Sequence, residues 1–415
     1  MTTPVSYHLF ERYGIELEYM IVDADTLDVL PVTDDVLKSV AGEYTNEVER
    51  GPVTWSNELV LHVIELKATT PLETIHGVHH AYQENVRALN ALLAQRGARL
   101  MPTAMHPWMD PFTETRLWPH DNNEIYDAFN AVFDCRGHGW SNLQSVHLNL
   151  PFANDDEFAR LHAAIRILMP IMPALAASSP IISLRATGLL DNRMEVYRTN
   201  STRIPSVAGY IIPEQVFSAE AYRCDVLDRI YADLAPYDSR GILQEEWVNA
   251  RGAIARFDRN TIEVRVLDVQ ECPAADLAIV NAITAVLQRL CEERWMSFDQ
   301  QKQWSTSMLH QILLDVIRGG ENTVIANEEY ARAFGLKGNP AAGEIWRALA
   351  TDCEDSMAQS PLVVQHAFAT ILAHGSLSTR ILRALAGDTS HANVKGVYAR
   401  LCDCLNEGRM FTAWG

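Results

Sequence analysis

The strand signal in this chain stops near residue 270, and the strands before that point carry charged side chains inside apolar runs. Thr261–Asp268 (TIEVRVLD) is the clearest case, alternating apolar with polar residues at the period of two that a half-buried strand requires. Residues 13–23 (YGIELEYMIVD), 57–67 (NELVLHVIELK) and 142–150 (NLQSVHLNL) read the same way, and 98–102 reads as a short strand. Helices are predicted at 71–97, 124–133 and 155–177 between them. These strands do not recur with the regular helix spacing of parallel βαβ units, so a hairpin-like α+β core of about 270–300 residues is expected. After Pro273 the periodicity is helical throughout, with segments at 274–295, 300–318, 327–334, 340–353, 361–373, 377–387 and 392–406. A catalytic core over 1–295 and a helical part over 296–415 packed on it follow as the expected domains.

The 34 Lys+Arg against 53 Asp+Glu leave a net charge of −19, which excludes broad nucleic-acid or anionic-membrane binding because phosphate attraction needs a basic face. Only five of the basic residues are Lys, so Arg dominates, and some of these Arg could grip carboxylate or phosphate with two prongs. The seven Cys, spread over the chain, do not form a secreted disulfide framework or a catalytic motif. The first twenty residues lack the charged and apolar regions of a signal peptide, and the most apolar stretch, Ile167–Ile182, is interrupted by Pro170, Pro173 and Pro180 and too short to span a bilayer, so a cytoplasmic protein is expected.

Several of the strand charges pair. Glu16 and Glu18 are two apart on the first strand, so both carboxylates project to one side, where they repel unless a cation or Arg lies between them. Glu58 and Glu65 are seven apart, which puts them on opposite faces of a straight strand; a bend or bulge must intervene if both serve one site. Ser145, His147 and Asn149 share a face, although a lone strand His is more often structural than a ligand. Glu263 and Arg265 share a face too, either as a surface ion pair or as buried charges that need partners. Arg193, Arg251, Arg256 and Arg259 lie upstream. No Gly-rich phosphate loop is present. A nucleotide site without one requires carboxylates for Mg²⁺ and Arg for the phosphates, and this inventory supplies both.

The ordered set GIELEY (14–19), Asn57-Glu58 with Ile64-Glu65-Leu66, MHPW (105–108), QSVHLN (144–149), AASSP (176–180) and TIEVRVLD (261–268) resembles the glutamate–cysteine ligase type 2 family, which includes bacterial carboxylate–amine ligases and belongs to the glutamine synthetase superfamily. The resemblance implies a glutamine synthetase-like, curved, mainly antiparallel sheet flanked by helices. ATP would enter one end of its cleft and an amino acid the other, with Mg²⁺ or Mn²⁺ between. It implies that Glu16, His147 and Glu263 hold the cation on the ATP phosphates, and that Glu18, Glu58 and Glu65 hold a second. Arg265 would contact the transferred phosphoryl group, Arg193 would act beside it, and Arg251 or Arg256 would neutralise phosphate.

The expected activity is an ATP-dependent carboxylate–amine ligase that activates the glutamate γ-carboxylate for attack by cysteine or another small amine. A phosphotransferase on the same fold, and a catalytically silent ligand-binding relative, are the alternatives. The implied partners are small molecules, an amino acid and an amine, with no nucleic acid and no membrane, and with a homodimer left open.

Overall fold

The computed structural model describes residues 6–412. Its centre is an eight-stranded sheet built from β1 (Gly14–Asp23), β2 (Glu47–Arg50), β3 (Val53–Asn57), β4 (Val63–Ala68), β5 (Ala98–Met101), β6 (Ser145–Pro151), β9 (Ala253–Arg256) and β10 (Thr261–Asp268). Two further strands, β7 (Ile181–Ile182) and β8 (Arg185–Ala186), form a separate ribbon. The sheet order is β2-β3-β4-β1-β6-β10-β9, with β5 pairing the far end of β1, and each of these strand pairings is antiparallel. The expected antiparallel α+β fold is therefore present.

The alternation read from the sequence sets which face each strand buries. Ile15, Leu17 and Tyr19 on β1, Ile64 and Leu66 on β4, Val146, Leu148 and Leu150 on β6, and Ile262 and Val264 on β10 all join one hydrophobic core. Helices cover that face. His79–Ala94, Asp155–Leu168 and Pro273–Cys291 pack together there, with Leu362–His374 on the outer side of Pro273–Cys291. Pro273–Cys291 is the one described helix long and apolar enough to cross a membrane, and 83% of its most apolar window is buried inside this fold.

The opposite face is divided along β1. Its first half carries Glu16 and Glu18, but Met20 and Val22 continue the same side with apolar residues. Those two pack with Met101 against Leu377, Ile381, Val397 and Leu401 from helices Leu377–Leu385 and His391–Glu407. The C-terminal helices thus roof one half of this face and leave the charged half as a cleft.

Element boundaries differ from the sequence reading in three places that matter. The run 57–67 is not one strand: β3 ends at Asn57, residues 58–62 turn, and β4 begins at Val63. The odd spacing of Glu58 and Glu65 is resolved by this turn, since they lie on different segments. The helix expected from residue 71 begins at His79, because 71–78 (PLETIHGV) includes Leu72 in a backbone bridge to Tyr13 and Gly77 at positive φ. The helix from Asp155 is capped by the Asn154 side chain and stops at Leu168, ahead of Pro170 and Pro173.

Candidate active site

The uncovered half of the sheet floors a cleft of about 980 Å³. Strand register decides its contents. Across β1–β4, Glu16 faces Lys67 and Glu18 faces Glu65; across β1–β6, Glu16 faces His147; across β6–β10, Asn149 faces Glu263. Glu16, Glu18, Glu58, Glu65, His147 and Glu263 all line the cleft, as do Arg193, Arg256 and Arg265.

Hydrogen bonds fix these groups. The Ser145 backbone N–H and hydroxyl donate to Glu18 Oε2 at 2.7 and 3.1 Å. His147 Nδ1 lies 2.8 Å from Glu16 Oε2, and its Nε2 lies 2.9 Å from the Ser145 hydroxyl and 3.8 Å from Glu18 Oε1. The Ser56 hydroxyl donates to Glu65 Oε2 at 2.5 Å. Lys67 Nζ stands 3.7 Å from Glu65 and 3.0 Å from Glu47.

More negative charge is gathered here than the protein neutralises. Burial and the neighbouring Glu18 charge push the Glu58 carboxyl up to about 8. Burial and the charges of Glu16 and Glu58 push Glu65 well above the carboxylate range. For Glu16, burial acts upward but is overridden by the hydrogen bond and charge of His147, with Arg265 and Lys67 adding to them, so it falls to about 2. Burial would lower His147, yet the Glu16 bond and the Glu18 and Glu16 charges raise it to about 9. Protons occupy positions that a divalent cation would otherwise serve. Glu16, Glu65 and His147 each offer a ligand atom, and these atoms lie within 4.8 Å of one another. An oxygen-rich donor set with one imidazole fits Mg²⁺ or Mn²⁺.

On the other flank, Arg265 Nε donates to Glu263 Oε1 at 2.5 Å. A β-bulge lies between Val264 and Leu267, where three residue steps on β10 match two on β6. The Arg265 N–H is redirected to the Gly252 carbonyl at 2.8 Å, and a Cβ on Gly252 would lie 2.4 Å from Val266 Cγ1. The Arg265 carbonyl accepts from Arg193 Nη2 at 2.8 Å, while Arg193 Nη1 donates to Asp268 at 3.3 Å. Arg193 therefore reaches the site through Arg265.

Of the two alternative phosphate contacts, Arg251 and Arg256, the structure brings only Arg256 to the cleft. Arg251 does not line the cleft: it is held by both oxygens of Glu214, at 2.5 and 2.6 Å, and donates to the Ser206 carbonyl at 3.0 Å. Its position on the loop before β9 turns it away from the sheet face. Arg256 does line the cleft, paired with Asp258 at 3.1 and 2.9 Å and 3.8 Å from Glu263. The sequence reading missed Lys67, although it stands two residues from Glu65 and shares its face. It also missed the apolar wall of Tyr126, Phe129, Trp140 and Trp247, which comes from outside the strands.

The model of glutamate–cysteine ligase family 2 matches residues 12–402. The chain belongs to that family. It is, with the family, an ATP-dependent ligase of the carboxylate–amine type. An uncharacterised protein of Archaeoglobus fulgidus is 36% identical over 280 residues, 68% of this chain and 75% of its own. A Paenarthrobacter aurescens protein provisionally named glutamate–cysteine ligase 2-2 is 27% identical over 285 residues, 68% of this chain and 67% of its own. In fold, the ligase is similar to the glutamate–cysteine ligase of Francisella tularensis solved in complex with AMP, with a TM-score of 0.64, 14% identity, and coverage of 97% of this chain and 90% of that one. It is also similar to the bifunctional glutathione synthetase of Pasteurella multocida, with a TM-score of 0.62, 13% identity, and coverage of 96% of this chain but only 53% of the other.

Proposed function

We propose that this ligase activates the γ-carboxylate of glutamate with ATP and joins it to cysteine or another small amine. A carboxylate repels an incoming amine electron pair and has no good leaving group. One carboxylate oxygen would attack the γ-phosphorus of ATP, the bond to ADP would break, and an acyl phosphate would form. The amine nitrogen would then bond to the acyl carbon, phosphate would leave, and the nitrogen would lose a proton. Such phosphoryl transfer relies on positioning and charge neutralisation more than on covalent help from the protein.

One observation carries the reading. Six acidic or imidazole groups and the Arg265–Glu263 pair project from β1, β4, β6, β10 and the turn after β3 into a single cleft. In this reading Glu16, His147 and Glu263 hold the cation that accompanies ATP, and Glu18, Glu58 and Glu65 hold a second. Bound there, divalent cations would neutralise phosphate charge. Arg265 directs its remaining guanidinium N–H groups at the transferred phosphoryl oxygens, Arg193 positions Arg265 from behind, and Arg256 neutralises phosphate by exchanging Asp258 for it. We further infer that residues 1–295 carry the chemistry and that 296–415 support it by roofing the sheet.

The test is ADP release measured with glutamate and a panel of amines, read together with product mass. Amine-dependent ADP release with a product of glutamate plus amine less water supports the ligase reading. ADP release that proceeds without amine and yields a phosphorylated product would establish a phosphotransferase instead, and binding of ATP without turnover would establish a silent relative.

A further inference from the structure

The two ends of the cleft differ in chemistry. Register places Gly14 opposite Asn149, Thr261 opposite Pro151, and Thr261 opposite Arg256, so these residues mark one end. Arg12, Arg256 and Arg259 line the cleft with them, three guanidinium groups that share two carboxylates, Glu73 and Asp258, besides the Glu263 that Arg256 has in common with Arg265, which leaves this end able to receive a phosphate group. The other end lies beyond the Glu18–Glu65 pair, where Asn57 closes β3 opposite Ile64. There the Asn57 side chain donates to the Tyr126 hydroxyl at 3.0 Å, and Glu58 follows directly.

Tyr126 begins an aromatic wall. Phe129, one helical turn on, lies between Trp140 at 5.4 Å and Trp247 at 5.6 Å with its ring tilted about 50° to each, and all of these rings line the cleft. Trp140 is fixed by its indole N–H, which donates to the Asn200 carbonyl at 3.2 Å. Phe129, Trp140 and Trp247 are only half-buried, so each leaves apolar ring surface facing the cleft. Clustered aromatic surface kept partly wet in a concave site is a binding surface more than a packing one, because burial of that area is favourable once a ligand supplies a partner. A short thiol-bearing amine would leave most of it uncovered.

Resting on the ligase reading, we propose that the Glu58 end is the acceptor pocket and that Phe129 and Trp140, beside Tyr126, select a primary amine with an aromatic or bulky apolar side chain over cysteine. The wall covers the side chain, while Glu18 and Glu58 lie on the side where the amino group must meet the activated carboxylate. Trp247 lies toward the Arg end, because its neighbour Glu246 accepts from the Asp258 backbone N–H at 3.1 Å and Asp258 pairs with Arg256, so the base of a nucleotide drawn to that end is the competing occupant of the wall.

Intrinsic tryptophan fluorescence of the full chain tests this without requiring turnover. Titration with 2-phenylethylamine should give saturable quenching at concentrations where cysteine gives none. Phe129→Ala should weaken it about fivefold or more, the scale of a lost aromatic contact, while ATP binding stays within twofold. Phe129→Leu, which keeps apolar bulk, should retain an intermediate affinity and guards against a folding artefact, as does circular dichroism of both variants. Equal affinity for cysteine and phenylethylamine overturns the proposal. So does a Phe129→Ala protein that loses ATP affinity but keeps amine affinity, which would make the wall a seat for the adenine ring. Turnover with glutamate and the same amines is read separately: if no amine supports ADP release, the ligase reading fails even where phenylethylamine binds.

Discussion

Glu18 and Glu65 are Cα partners in the β1–β4 ladder, two carboxylates directly opposite on one sheet face. Like charges at such positions destabilise a sheet. The structure responds by keeping protons on part of the cluster, and this gives the metal-free protein a pH-dependent stability with a definite sign. Glu58, raised to about 8 from its ordinary 4.5 by burial and the Glu18 charge, holds its proton more tightly folded than unfolded. Its contribution is complete below pH about 4.5 and is lost as the pH rises through about 8. His147 works in the same direction despite its burial: raised to about 9 from 6.5 by Glu16 and Glu18, it contributes below pH about 6.5 and is lost as the pH rises through 9. Glu16, lowered to about 2, matters only on the acid side. In chelator, the Tm should therefore fall by at least a few degrees between pH 6 and 9, and Mg²⁺ should flatten that slope by taking the place of the protons. A Tm in chelator that rises or stays level over this range contradicts the cluster as described.

Glu263→Gln should abolish ADP formation and leave the fold intact. Glu263 is buried, accepts from Arg265 Nε, and lies 3.8 Å from Arg256. The amide keeps its size and one acceptor oxygen but has no negative charge to offer a cation or to hold two guanidinium groups in place. Circular dichroism matching the parent, with ADP release reduced at least about a hundredfold, is the expected outcome. Near-normal turnover would remove Glu263 from the site.

The floor of the cleft was legible in the sequence because a strand's period of two is unambiguous. Glu16 with Glu18, His147 with Asn149, and Glu263 with Arg265 each had to share a face. What the alternation could not give was register between strands. That Glu16 meets His147, or that Glu18 meets Glu65, depends on pairings between segments more than a hundred residues apart in the first case and separated by a helix and two strands in the second. Glu58 looked misplaced because β3 and β4 read as one run. Arg251 was expected at phosphate through the family resemblance alone, and nothing local revealed that Glu214 claims it. The half-face of β1 under the C-terminal helices was legible in hindsight from Met20 and Val22, apolar residues continuing the row of Glu16 and Glu18.

Arg265→Lys should slow turnover far more than it weakens ATP binding, by about a hundredfold or more. Arg265 uses Nε to hold Glu263, and in the proposed mechanism its terminal nitrogens would meet the reacting phosphoryl group. Lysine keeps one positive charge but cannot do both, since it lacks the planar fork. Single-turnover ADP formation and equilibrium ATP binding, measured on the same variant, separate the two effects. A collapse of ATP affinity with unchanged turnover of bound ATP would mean that Arg265 only anchors the ground state.

Arg193→Met should destabilise the protein by about 3–5 kcal/mol, because it strips the cation from the fully buried Asp268 carboxylate and leaves the Arg265 carbonyl at the bulge without its donor. Arg193→Lys should recover part of that stability, since the ammonium can still reach Asp268. It should not recover turnover, because one ammonium cannot bridge Asp268 and the Arg265 carbonyl in the original geometry. Urea unfolding and single-turnover kinetics of both variants check this, and an Arg193→Lys protein with full activity would show that the bridge does not position Arg265.

A chain ending at residue 295 should fail to fold into an active enzyme. Helices Leu377–Leu385 and His391–Glu407 cover Met20, Val22 and Met101 on the very face that carries Glu16 and Glu18, so their removal opens apolar surface at the wall of the cleft. Leu362–His374 covers the Pro273–Cys291 helix, whose length and apolarity leave it poorly suited to water. A buried ion pair ties the parts together: Arg380 donates to Glu271, three residues beyond β10, and also to the Phe411 carbonyl at 2.8 Å. Truncation would leave Glu271 as an uncompensated charge beside the strand that bears Glu263 and Arg265. The expected result is aggregation, or loss of a cooperative thermal transition, with no ADP release. The point variant Arg380→Met tests the same coupling more gently, and should lower stability by about 3–5 kcal/mol while the chain still folds. A soluble, fully active protein of residues 1–295 would show instead that the sheet holds its cleft without this roof.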